Sequence, residues 1–342
     1  MDYPAQLEQL TCRPLLADEA QMAVWARRLR LPAHLGPVPP ALSQQWHELV
    51  EQLDDALHEV RGGSDWRARL FAVHGRARAL FARRPDASLY HHVYEAGHST
   101  RKYSCHHALM TLVLGELAAA QLGWSQAWID SLGRAALTMN VAMRALQDQL
   151  ATTRQRPTDA MRAEIDGHAE AGAALLESAG FGDALCVAVV RQHHDAEGDA
   201  TPLAEQPVER QLARLLRRVD IFTAKISRRA TRSPMSPVRA AREACLGADG
   251  RPDEIGGAML KAVGLYPPGC FVALASGELA IVVARGERAN VPQVAVLVSP
   301  RGSPLGEPVL RDTVDERYSV TSAVMPSSVR VRPPHERVLA LR

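Results

Sequence analysis

The feature that most constrains the fold of this chain is a helical spacing of apolar residues that recurs over most of its length. One early stretch places apolar side chains three or four residues apart, at Leu42, Trp46, Leu49, Leu53 and Leu57. Such a spacing lines one face of an amphipathic α-helix. The other predicted helices include Gln21–Leu31, Trp66–Arg83, Cys105–Leu122, Gln126–Leu150, Ala160–Ala179, Ala184–His194, Glu209–Ser227 and Val238–Leu246. The sequence therefore predicts a mainly α fold with a large helical core.

The spacing changes after residues 266–269, which read Tyr-Pro-Pro-Gly. Short β-branched or alternating segments follow, separated by Gly and Pro, as is typical of strands. The predicted strands are Phe271–Ala275, Leu279–Ala284 and Gln293–Ser299, with further candidates near Pro308–Leu310 and Tyr318–Val320. We therefore expect three parts: an N-terminal helical region (1–85), a helical domain (86–263) and a small β-rich C-terminal segment (264–342).

Composition and charge exclude several classes of protein. The formal net charge is only +2, and the arginines are spread along the chain, which argues against a DNA partner. The five cysteines are odd in number, widely spaced and without a CxxC pair, as expected for reduced thiols. No apolar run reaches the roughly 18 residues of a membrane span, and the N-terminus lacks the apolar segment of a signal peptide. We expect a cytoplasmic protein.

Four histidines and one aspartate lie at or near the ends of successive predicted helices. They are His107, His168, His193, His194 and Asp220. The gaps between them correspond to one or two helical hairpins, so the side chains could converge inside a helical bundle, as bundle-core metal ligands do. Imidazole and carboxylate suit Fe, Mn or Zn. The alternative is that these residues are relics, hydrogen-bonded in the interior.

Six segments, in order, resemble the HD-GYP domains, which are bacterial metal-dependent phosphohydrolases of the HD superfamily that act on cyclic-di-GMP. The segment HALMTLVLGELAAAQLG, which begins at His107, resembles the first ligand helix of the family. AALTMNVAM resembles the family's AALLHDIGK, DGHAEAGAALLE its HPxxG helix, the His193-His194 pair its HHE motif, and RVDIFTAKISRRATR its VADxFDALTSxRPYR. YPPG followed by VALASGELAIVV resembles the β segment found after many such domains. The resemblance covers residues 103–300.

The resemblance implies an HD-superfamily helical bundle whose metal ligands are the five residues named above. It also implies that Arg229 and Arg232 contact phosphate. His98 begins a literal match to the family's HSxR motif, but it lies nine residues too early for the helix that follows, so we prefer His107. Tyr103 stands where some family members carry an additional Glu ligand, so a third metal ion is not supported.

The chain departs from the family at the residues that matter most for catalysis. The His-Asp pair is replaced by Met139 and Asn140, and the lysine that would meet substrate phosphate is Met143. The GYP loop is absent, and Thr223 replaces the second aspartate of a DxxD pattern. In the family the lost aspartate bridges two metal ions, whereas asparagine is neutral and the methionine thioether does not suit hard metals. No catalytic set is therefore intact.

Without the bridging carboxylate, two divalent ions would face mostly neutral imidazoles, which should expel one of them. His168, His193 and His194 could still hold one cation, and Asp220 with His107 could hold a weaker second one. We expect one divalent metal (Fe, Mn or Zn) or none, and little or no hydrolysis of cyclic dinucleotides.

Three functions remain open at this point. The chain could be a degenerate HD-GYP-like module in bacterial signalling that binds a cyclic dinucleotide, another nucleotide or a signalling protein. It could instead be an active metal-dependent phosphohydrolase with a rebuilt site, because four of the ligand residues persist. It could also be a structural protein whose N-terminal helices mediate oligomerisation.

Overall fold

The structure is a computed structural model that describes residues 41–63, 65–195, 201–246 and 251–341. The helix predicted at Gln21–Leu31 lies outside the described residues. The helices are α1 (Leu42–His58), α2 (Trp66–Arg83), α3 (Pro85–His98), α4 (Tyr103–Gln121), α5 (Gln126–Thr138), α6 (Arg144–Thr152), α7 (Asp159–Ser178), α8 (Ala184–Gln192), α9 (Val208–Ile226), α10 (Pro237–Cys245) and α11 (Glu254–Val263). The prediction of a mainly α fold is confirmed.

Local sequence fixes where several of these helices begin. Side-chain oxygens accept hydrogen bonds from first-turn backbone N–H groups at Ser125, Thr158, Asp183, Ser236 and Asp253. These caps satisfy amide donors that would otherwise lack a partner inside the helix.

The long helix predicted at Gln126–Leu150 is wrong as a single element. Helix α5 ends at Thr138, and a 3₁₀ turn at Val141–Met143 separates it from α6. No Pro or Gly marks this break. The break packs against α7: Met139 is buried in the core, and a Cβ added to Gly172 of α7 would be in ordinary van der Waals contact with the Met139 carbonyl oxygen, at 3.6 Å. The break places Met139 and Asn140 in a turn beside α7.

Helix α4 is the central helix of the fold. It is buried on every face and packs against α3, α5, α9 and α11. Its composition explains this position, since nearly all its residues from Ala108 to Ala119 are apolar or small. One consequence is that His107, on the first turn of α4, lies inside the bundle.

The C-terminal part forms a five-stranded antiparallel sheet. Its strands are β1 (Phe271–Leu274), β2 (Leu279–Ala284), β3 (Gln293–Val298), β4 (Pro304–Asp312) and β5 (Val320–Val324), in the order β4-β3-β2-β1-β5. Strand β2 packs on α3, and a last short helix, α12 (His335–Leu339), returns to the sheet. Gly269 has a φ of 94°, and an added Cβ would collide with the Tyr90 carbonyl, so glycine permits the close approach of sheet and α3. None of the described helices combines the length and apolar character needed to cross a membrane.

Candidate metal centre

Three of the predicted ligand residues converge on one point. His168 comes from the middle of α7, while His193 and His194 follow the end of α8, two residues earlier than the predicted helix end. The Nε2 atom of His168 lies 3.2 Å from the Nε2 atoms of both His193 and His194. We call these three residues the histidine triad. In the described part of the chain, it is the only group of three or more His, Cys, Asp or Glu side chains whose ligand atoms lie within 4.8 Å of one another.

The protons of two triad rings are directed away from the centre. His168 donates from Nδ1 to the Ile165 carbonyl, and His193 donates from Nδ1 to the Val190 carbonyl over 2.6 Å. A neutral imidazole with its proton on Nδ1 presents a lone pair at Nε2. Two such lone pairs therefore face each other at 3.2 Å, an arrangement that a cation between them would stabilise. Backbone acceptors on the outer nitrogen are typical of metal-binding histidines.

The third ring is held differently. Arg217 of α9 donates from Nη1 to His194 Nδ1 over 3.0 Å and to the His194 carbonyl over 3.1 Å. His194 therefore carries its proton on Nε2 and donates it to His168. To ligate a metal through Nε2, His194 must shift that proton to Nδ1, and Arg217 can then keep only its bond to the carbonyl. Sequence reasoning missed Arg217, although its place three residues before Asp220 on one helix puts both on one face.

The other two predicted ligands form a separate pair beside the triad. His107 Nε2 donates to Asp220 Oδ1 over 2.7 Å, and about a fifth of the Asp220 side-chain surface is exposed. Burial raises the pKa of Asp220, but the hydrogen bond from His107 and the nearness of His193 and His194 outweigh it and bring the pKa down to about 2. Asp220 is therefore an anion at neutral pH and a weak general base. Its negative charge acts to raise the pKa values of His193 and His194, so the pair and the triad interact electrostatically.

A stack of side chains connects this pair to one of the predicted phosphate contacts. The Tyr103 ring stacks on His107 with a centroid distance of 5.7 Å, and the Arg229 guanidinium lies 5.0 Å from the Tyr103 centroid. Arg229 also donates to the Tyr103 hydroxyl over 3.0 Å. Arg232 instead donates to the Ala224 carbonyl over 2.7 Å, so its guanidinium is turned toward the backbone. Arg229 thus contacts Tyr103 directly, while Arg232 lies near enough to Arg229 and Tyr103 to interact with them electrostatically.

Met139, Asn140 and Thr223, which the resemblance aligns with the family's His-Asp pair and second Asp, carry no negative charge. Met139 is buried among apolar side chains, and the Asn140 carbonyl accepts from the Met143 amide within the turn. Thr223 Oγ1 donates to the Asp220 carbonyl and lies 3.2 Å from Thr111 Oγ1. The Thr223 hydroxyl thus has hydrogen-bond partners within the core. Among the described side chains at this site, Asp220 is thus the predicted residue that supplies negative charge.

His98, the alternative to His107 as the first predicted ligand, lies against the sheet. His98 stacks on Tyr94 at a centroid distance of 3.9 Å, donates from Nδ1 to the Tyr94 carbonyl and lies near Phe271 of the sheet. His107 contacts Asp220, whereas the contacts described for His98 are with Tyr94 and Phe271.

Comparisons with known proteins agree with part of this interpretation. No protein-family model matches the chain, and no solved structure gives a significant match. A cyclic di-GMP phosphodiesterase from Pseudomonas aeruginosa is 27% identical over 218 residues, which is 63% of this chain and 52% of that protein. The chain thus spans about half the length of this curated relative. The similarity supports a phosphohydrolase-like fold and a distant relation to cyclic-di-GMP phosphodiesterases.

Acid should destabilise the chelator-treated protein through its buried histidines. Burial and the nearby His194 lower the pKa of His193 to about 4, despite the opposing effect of Asp220. Because the unfolded chain has ordinary histidine pKa values near 6.5, it binds more protons than the native state between pH 6.5 and 4. The free energy of unfolding should therefore fall across that window, by roughly 3 kcal/mol from His193 alone. Urea titrations at pH 7, 5.5 and 4.5 measure this, and His193→Gln should flatten the slope. A pH-independent free energy would contradict the burial assigned to this ring.

Proposed function

We propose that this chain is a degenerate HD-GYP-like protein, with an HD-superfamily helical bundle over residues 86–263, whose histidine triad holds one divalent cation. The observation that carries the proposal is the convergence of His168, His193 and His194 through their Nε2 atoms at 3.2 Å, with the outer nitrogens of two rings bonded to backbone carbonyls. Fe, Mn and Zn are the candidates, because imidazole suits them. The residues present fit such an ion.

The same site is poorly equipped for two-metal hydrolysis. Asn140 replaces the bridging aspartate of the family, Met139 replaces the neighbouring histidine ligand, and Met143 replaces the lysine that would meet phosphate. Asp220 is an anion, but its pKa of about 2 makes it a weak acceptor of a proton from water. We therefore propose that hydrolysis of cyclic-di-GMP is strongly impaired.

Binding of a phosphate-bearing ligand remains within the capacity of these residues. A divalent ion in the triad would supply positive charge to a phosphate oxygen. Arg229 is held beside the pair of His107 and Asp220 by Tyr103, and its guanidinium can form charge-assisted hydrogen bonds to phosphate. The function that fits best is a nucleotide-binding or protein-interaction module in bacterial signalling, with a cyclic dinucleotide as the first ligand to test.

The test is to measure binding and hydrolysis of cyclic-di-GMP by the same metal-loaded sample. We expect binding without detectable linear product, and a loss of affinity of roughly tenfold on Arg229→Ala, the size expected for one charge-assisted hydrogen bond. Arg228→Ala is the matched control, because Arg228 is the exposed neighbour and should leave affinity unchanged. Hydrolysis at the rate of a complete phosphodiesterase would contradict the proposal.

One observation keeps an active enzyme as the second candidate. The anionic Asp220 lies beside the triad and could complete a rebuilt site with another substrate, such as a nucleotide monoester. Release of inorganic phosphate from nucleotide monophosphates that is lost on Asp220→Asn, while cyclic-di-GMP stays intact, would favour this candidate.

A further inference from the structure

A second group of histidines lies outside the candidate metal centre, where α1, α3 and α4 meet. It comprises His47 of α1, His91 and His92 of α3, and His106 of α4, and we call it the α1 histidine cluster. The ring centroids of His47 and His91 are 5.3 Å apart, and those of His47 and His106 are 6.1 Å apart. The corresponding distances within the triad are 4.2 to 5.1 Å. The packing of three helices thus brings imidazoles almost as close as in the triad.

Several polar atoms in this cluster are buried without a partner. The Nε2 atoms of His91 and His92 and the Nδ1 atom of His106 have no hydrogen-bond partner among the described residues. The same holds for Trp46 Nε1 and Ser88 Oγ close by. Buried polar groups are almost always paired with protein, water or an ion, because an unpaired group loses its hydrogen bonds to water without replacement. Three of these five atoms are imidazole nitrogens, which could bind an occupant of this region.

The protonation state of the cluster suits a metal ion. Burial lowers the pKa of His91 well below its ordinary value and that of its neighbour His92 to about 3. Neutral imidazole is the form that binds metal.

We propose that His47, His91 and His106 form a second metal site, for a transition-metal ion of the kind that imidazole prefers, such as Zn²⁺. His91 and His106 supply rings with buried, unpartnered nitrogens, and His47 supplies an exposed ring that contacts both. Since the triad is the one described group with three donor atoms within 4.8 Å, the His47 ring must turn toward the other two to complete the site. Its exposure leaves room for that rotation. A bound ion would tie α1 to α3 and α4.

Calorimetric titration of the chelator-treated full chain with Zn²⁺ tests this proposal separately from the triad. We expect two binding events in the wild type. His47→Ala should weaken one event by at least roughly tenfold, the range seen even for residues one step removed from a metal. His168→Ala should remove the other event. His47 is exposed, so its replacement should leave the fold intact, which circular dichroism verifies. His58→Ala, at the exposed end of the same helix, is the matched control and should keep both events.

The outcomes separate cleanly. A single event in the wild type that disappears with His168→Ala would overturn the second site and leave the triad standing. Two events that both survive His47→Ala and also survive His106→Ala would overturn it as well. Loss of one event in both cluster variants, with the triad event unchanged, would establish it.

Discussion

Replacing Met139 and Asn140 by His and Asp should raise the metal content of the histidine triad region from one ion to two. Two divalent ions about 4 Å apart repel each other by roughly 17 kcal/mol at an effective dielectric constant of about 20. An anionic bridge between them is the group that offsets this repulsion in two-metal sites. Asn140 has no charge, whereas aspartate has nearly the same shape and supplies it. The count is made by plasma mass spectrometry in a His47→Ala background, so that the α1 histidine cluster does not contribute.

Two further variants distinguish the effect of the added negative charge from a disturbance of core packing. Met139 is buried, so the double substitution could disturb packing, but Asn140→Asp alone alters a half-buried turn residue and should by itself increase occupancy of the second ion. Gln149→Glu adds the same charge at an exposed position of α6 and should leave the count at one. If Asn140→Asp and the double variant both remain at one ion, a charge deficit at position 140 is not what limits the site.

In a His47→Ala background, in which the α1 histidine cluster does not contribute, removing a single triad imidazole should abolish stoichiometric metal binding. Replacement of groups that merely orient a ligand weakens metal affinity by 10–100-fold, so loss of a direct donor should cost at least about 100-fold. His168→Ala removes the ring whose Nε2 contacts the other two rings. His194→Ala removes a triad ring at an exposed position, where the substitution should leave the core folded. Competition of Mn²⁺ or Zn²⁺ with a chelating dye measures the effect.

The control for this series is His58→Ala, which removes an exposed histidine whose ring contacts Arg144 rather than a triad ring, and it should leave the affinity unchanged. Unchanged metal affinity in both His168→Ala and His194→Ala, with the protein folded, would show that the triad is a hydrogen-bonded relic.

Much of the helical framework was accessible from sequence because its signals are local. The three- and four-residue spacing predicted most helices within a few residues, and the capping residues Thr158 and Ser236 marked two starts. The change to alternating, β-branched residues after Gly269 predicted the sheet. The placement of the five candidate ligands at or near helix ends suggested that they could converge, and three of them, His168, His193 and His194, lie together.

What sequence could not supply depended on contacts between distant segments. The break at Met139 and Asn140 lies in a stretch without Pro or Gly, so no local signal predicts it, and in the folded protein it packs against α7. The split of five predicted ligands into a triad and a separate His107–Asp220 pair reflects helix crossing distances rather than spacing. The role of Arg217 depends on side-chain direction, and the α1 histidine cluster arises from three helices that share no motif.

The most direct test of the account is an anomalous difference map from a crystal of the metal-loaded protein, collected at the absorption edge of the bound ion. The account predicts one peak at the bundle site, among the Nε2 atoms of His168, His193 and His194. Two fully occupied peaks side by side between the triad, Asn140 and Asp220 would contradict it.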